Sequence, residues 1–168
     1  MKAIVGFSSL LALLVASCGG GSGSFPDEAE CPAPSPVATS RAQPGAVSPQ
    51  AYTTRMRSSA ETLARLRADL RAKYSDDTFY RRDGFRPDFA EYADQTVCAA
   101  QAMLDLSAPD ARFKEYESTL DTALTALIEH TREGREAVRA RNVSDYRKWF
   151  KDADAKIAAV RDAAFAQR

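Results

Sequence analysis

From residue 48 onward, apolar side chains return every third or fourth position in four successive runs, the spacing of helices that each bury one stripe. The first run is Tyr52, Met56, Ala60, Leu63, Leu66, Leu70 and Tyr74. Ser48 can cap it and Pro49 suits the first helical position, so a helix is predicted over 48–74. Its other side carries Arg55, Glu61, Arg65, Asp69 and Lys73. Glu61 to Arg65 and Asp69 to Lys73 are acid-first pairs four apart, each worth about 0.3 kcal/mol.

A second helix is predicted over 88–106, capped by Asp88 with Glu91 returning the bond, and with Phe89, Tyr92, Ala93, Thr96, Ala100, Met103 and Ser107 on one side. Ser107, Pro109 and Asp110 then supply a cap, a first-turn proline and a third-position acid, so a third helix follows at once and runs to Arg141. Its stripe is Phe113, Tyr116, Leu120, Leu124, Leu127, Thr131 and Val138. Gly134 interrupts it at a cost of up to ~1 kcal/mol against alanine, which points to a close helix crossing or a kink. Asn142 suits a left-handed residue, Val143 the apolar contact after it, and Ser144 the next cap. The last stripe is Tyr146, Trp149, Phe150, Ala153, Ile157, Val160 and Ala164. Four amphipathic segments with short connections predict an all-α, antiparallel four-helix bundle over 48–168. The alternative is three helices with the first detached.

Before residue 48 the pattern changes. Met1-Lys2 is a positive start, Ile4 to Val15 a short apolar run, and Ala16-Ser17 a pair of small residues. The run falls short of the ~20 residues that cross a bilayer. Val15, Ala16, Ser17 and Cys18 resemble the lipobox of bacterial lipoprotein signal peptides. That resemblance implies that residues 1–17 are removed, that Cys18 is diacylated with palmitate-like chains, and that the protein is held by this lipid at the membrane, extracytoplasmic, on the periplasmic or surface face of the cell envelope. Secretory cleavage without acylation is the alternative. Residues 18–47 then read as a linker, with Gly19-Gly20-Gly21-Ser22-Gly23-Ser24 followed by Pro32, Pro34, Pro36 and Pro44. Its reach of about 30 Å predicts a domain able to stand off the bilayer.

Cysteine placement tightens that picture. Counting about 100° per residue, Cys98 falls opposite Phe89, among Glu91, Asp94, Gln101 and Asp105. A thiol on a polar face lacks a packing reason, and an exported chain meets oxidising machinery. A disulfide between Cys31 and Cys98, strapping the linker across the bundle, is therefore expected, leaving residues 19–30 as free tether. A solitary buried cysteine is the alternative. Charge adds an exclusion: of 23 basic residues one is Lys2, so 22 face 23 acidic ones after its removal, and no long-range net field favours nucleic acid or anionic lipid.

The one long connection, 75–87, interleaves Phe79, Tyr80, Arg81, Arg82, Phe85 and Arg86. Two readings stand: a contact for an anionic envelope component (headgroup, wall polymer or protein), or an aromatic lid folded over the bundle end. Catalytic and metal chemistry find little. His130 is the only histidine and reads as a boundary residue beside Glu129 and Glu133. Paired Glu-x-x-His and Cys-x-x-Cys-His motifs are missing from the sequence. The sequence therefore nominates no catalytic residue, metal or cofactor, and favours a non-enzymatic envelope module that binds or scaffolds an envelope protein or polymer. A bundle holding an apolar or haem-like ligand, with Met56 and His130 as conceivable haem ligands, is the alternative, and an envelope hydrolase the third.

Overall fold

The structure, a computed structural model, describes residues 25–32, 47–75 and 78–166. The lipobox-like stretch, Cys18 and the Gly/Ser run lie outside the described residues. Helix α1 spans Pro49–Lys73, α2 Phe85–Leu104, α3 Lys114–Arg139 and α4 Val143–Phe165, with 3-10 turns at Phe79–Arg81 and Ala111–Phe113. The fold is an antiparallel four-helix bundle in which α1 and α3 each pack against α2 and α4. Direction is visible in the cross-pairs: Glu61 meets Arg161, whereas Arg67, further along α1, meets the earlier α4 residue Asp154. None of the described helices is long and apolar enough to cross a membrane.

The predicted stripes supply most of the core, with Leu66 and Phe150 half-buried and Ser107 exposed. Tyr52, Met56, Leu63, Leu120, Leu124 and Val160 fill one half, and Phe85, Phe89, Tyr92, Tyr146 and Trp149 fill the other. Gly134 marks a close crossing, as its place in the stripe predicts: a Cβ there would lie 2.6 Å from the Trp149 ring. Trp149 is itself fixed between Phe89, Tyr92 and Tyr146, with ring centroids 5.0, 6.2 and 5.3 Å away.

Several predicted ends shift for identifiable reasons. Ser48 caps α1, accepting from the Ala51 amide at 3.2 Å. Helix α2, however, begins at Phe85 rather than with an Asp88 cap. Pro87 is no obstacle, because first-turn residues need no amide donor, and Phe85 and Phe89 share a buried face four residues apart. Asp88 instead takes bonds from the Lys73 ammonium and the Tyr74 hydroxyl, and the Lys73 bond in particular holds its carboxyl below the usual range. Ser107 does not cap the third helix. Asp110 accepts from the Arg112 amide at 2.9 Å, and the 3-10 turn it starts leads into α3.

After α3 the left-handed residue is Arg141 (φ 56°), not Asn142, and the α4 cap is Asn142, not Ser144. The Asn142 amide donates to the Ala137 carbonyl at 2.8 Å and the Arg141 amide to Val138 at 3.1 Å, a Schellman closure. The asparagine side chain then accepts from the Asp145 amide at 3.2 Å, so one residue links both helix ends. The within-helix pairs predicted for α1 give way to pairs between helices, Glu61 with Arg161 and Lys73 with Asp88.

Candidate functional site

A strap crosses the outside of α2 and α3. The Cys31 and Cys98 sulfurs are 2.13 Å apart with Cα atoms at 5.1 Å, a pair at disulfide distance as expected for a thiol on the polar face of α2. The docked part of the strap is longer than the cysteine pair alone implies. Phe25, six residues before Cys31, is buried. Its ring lies 5.4, 5.3 and 6.0 Å from the guanidinium carbons of Arg86, Arg135 and Arg139. Arg135 donates to the Pro26 carbonyl at 2.9 Å and to Asp94 Oδ1 at 2.6 Å, and the same carboxylate oxygen accepts from the Ala29 amide at 3.3 Å. Arg132 pairs with Glu28 and Arg139 with Asp27, so an acidic strap lies on a basic ridge of α3. Residues 25–30 are thus not free tether, which corrects the expected length.

Arg135 is 2% exposed and was not singled out from the sequence, nor was Arg67 at 3%. Both occupy stripe positions, Arg135 four residues after Thr131 and three before Val138, Arg67 four after Leu63 and three before Leu70. That register is the signal that betrays them. Arg67 displaces Leu66 from the centre of the stripe, donating to Asp154 at 2.7 Å and to the Phe150 carbonyl at 3.0 Å while lying 4.2 Å from the Phe150 ring centroid.

Beside the start of the strap lies a cleft of about 430 Å³, lined by Tyr80, Arg81, Arg82, Asp83, Phe85 and Arg86 from one side and by Val138, Arg141, Asn142 and Tyr146 from the other. Four arginines against one aspartate give its walls a net positive charge. All six residues named from the 75–87 connection gather at this bundle end, and they divide by role. Phe79 and Phe85 are buried, with ring centroids 4.9 Å from each other and 4.9 and 5.2 Å from Tyr146, so the lid reading holds for them. Arg81 and Arg82 are exposed, and half-buried Tyr80 carries Arg81 and Arg147 5.6 and 5.9 Å from its ring. Arg82 donates to the Lys73 carbonyl at 3.0 Å. Phe85 and Arg86 belong to α2 rather than to a loop.

His130 is buried and stacks on Trp149 at 5.6 Å, with Nε2 3.1 Å from the Trp149 carbonyl oxygen and Nδ1 3.6 Å from Glu133. It serves the α3–α4 contact. Met56 sits in the other half of the core, eleven residues before Arg67, the α1 residue whose guanidinium lies 5.4 Å from the Trp149 ring. That offset is about 16 Å along the helix, so Met56 and His130 do not face a shared ligand. Among the described residues no group of three or more His, Cys, Asp or Glu could hold a metal ion. The chain matches no protein family, no curated protein and no solved structure.

Proposed function

We propose that the protein is a lipid-anchored, extracytoplasmic, non-catalytic module that binds or scaffolds another component of the cell envelope through the basic cleft. The observation that carries the reading is the cysteine pair across the strap. Disulfides form and persist where the environment is oxidising, so a pair at bonding distance on a polar helix face favours export. The lipobox-like Val15-Ala16-Ser17-Cys18 supplies the route out and the anchor. Two acyl chains at Cys18, at roughly 0.8 kcal/mol per buried methylene, would hold the module at a membrane permanently. The cleft supplies the contact, since Arg81 and Arg141 stand exposed on its walls beside a framework of buried aromatic rings.

Cell fractionation tests the anchor. Globomycin or Cys18→Ala is expected to change gel mobility and release the protein from membranes, and an unchanged membrane-bound species would refute it. Crosslinking in intact cells tests the contact. Replacing the exposed Arg81 and Arg141 together by glutamine should abolish crosslinks to this bundle end while thermal stability stays close to the parent's; crosslinks that persist would return the cleft to a purely structural role.

A further inference from the structure

The docked strap fixes which end of the bundle meets the bilayer. Resting on the lipid anchor proposed above, we infer that the partner of the basic cleft is the anionic phospholipid surface of the membrane that carries the Cys18 chains. From Cys18 to Phe25 there are seven peptide steps, a span of at most about 25 Å however they are arranged. The 26 residues of α3 extend about 39 Å. The leash is shorter than the bundle. Phe25 is seated against Arg86 and Arg139 at the end of the bundle that holds the cleft, and Arg86 lines both places. The bundle end bearing Arg81, Arg82, Arg86 and Arg141 is therefore held within one leash length of the headgroups, and the domain cannot stand well off the membrane.

Chemistry at that end matches a headgroup. Guanidinium forks fit phosphate oxygens with two parallel bonds, and Arg81 stands exposed on one wall of the cleft. Arg141 adds one from a left-handed backbone position where glycine would be cheaper. Half-buried Tyr80 offers an apolar body with a polar tip at the rim. Of the strap's acids, Glu28 pairs with Arg132 at 2.9 Å and Asp27 lies 3.7 Å from Arg139.

The test uses the full acylated protein, its acyl mass verified, reconstituted into vesicles of phosphatidylcholine or of an equal mixture with phosphatidylglycerol. Amide hydrogen exchange at residues 79–86 and 139–143 is expected to slow on the anionic vesicles only, while residues 114–122 at the far end stay unchanged. Raising salt should reverse the protection. Substituting the exposed pair Arg81→Gln and Arg141→Gln should weaken it, roughly fivefold for each arginine removed. Equal exchange on the two vesicle types would overturn the inference and leave the anchor standing. Protection found in whole envelopes but missing on anionic vesicles would also overturn it, in favour of a protein or polymer partner. A mass without acyl chains would remove the anchor itself, and the inference with it.

Discussion

Gly134 shows how one residue sets the distance between two helices. Adding a methyl group there brings two opposed effects: alanine favours the helix by up to ~1 kcal/mol, and overpacking against a fixed ring costs about 1–3 kcal/mol. Trp149 is boxed in by Phe89, Tyr92, Tyr146 and His130 and has little room to yield, so the steric effect wins. Gly134→Ala is expected to lower unfolding stability by roughly 1–2 kcal/mol, read from the urea midpoint at unchanged slope; a variant as stable as the parent would contradict the crossing. The glycine was legible as a break in an otherwise apolar stripe, whereas Trp149 as its partner was not, since periodicity says which face is buried but not what it meets. Arg67 and Arg135 were hidden for a related reason. Charge argues against burial, and the ion pairs with Asp154 and Asp94 on other helices, with bonds to the Phe150 and Pro26 carbonyls, make it tolerable.

At the scale of elements, the four stripes and the Ser48 cap were legible, and the other N-terminal caps were displaced by two to four residues. Tertiary burial of Phe85 advances the start of α2, and Asn142 takes the cap because its side chain reaches the Asp145 amide. The strap was half legible. Its cysteine pairing follows from the helical position of Cys98, but the seat of Phe25 depends on arginines from two helices. Tying residues 67 apart should stabilise the fold by about 4 kcal/mol in the chain-entropy picture. Replacing both Cys31 and Cys98 by serine is therefore expected to lower the unfolding midpoint and speed exchange at the Ala29 amide; unchanged stability would mean that the ion pairs alone hold the strap.

Helix ends also carry a pH response. Burial, aided by the bond to Asp88, pushes the Tyr74 phenol up to about 12, and burial followed by the nearby Glu117 does the same for Tyr52. A folded-state value above the unfolded one near 10 means that these groups contribute stability fully at lower pH and lose it as pH rises through the folded value. Stability should hold to about pH 10 and fall from there to about 12, with phenolate absorbance at those sites appearing only as the bundle opens. Ionisation of Tyr52 or Tyr74 near 10 in the intact fold would contradict their burial.

On the scale of the whole molecule, the fold places a basic cleft at one end of a helical body, beside the start of the docked strap. That arrangement came from neither pattern nor composition: the net charge is zero, and only the fold gathers Arg81, Arg82, Arg86 and Arg141 around one cleft. The most direct test is the intact mass of the protein taken unreduced from the envelope of the producing cell, followed by peptide mapping. The account predicts a chain that starts at an acylated Cys18, together with a Cys31–Cys98 linked peptide. A chain that keeps residues 1–17 with Cys18 bare would contradict it.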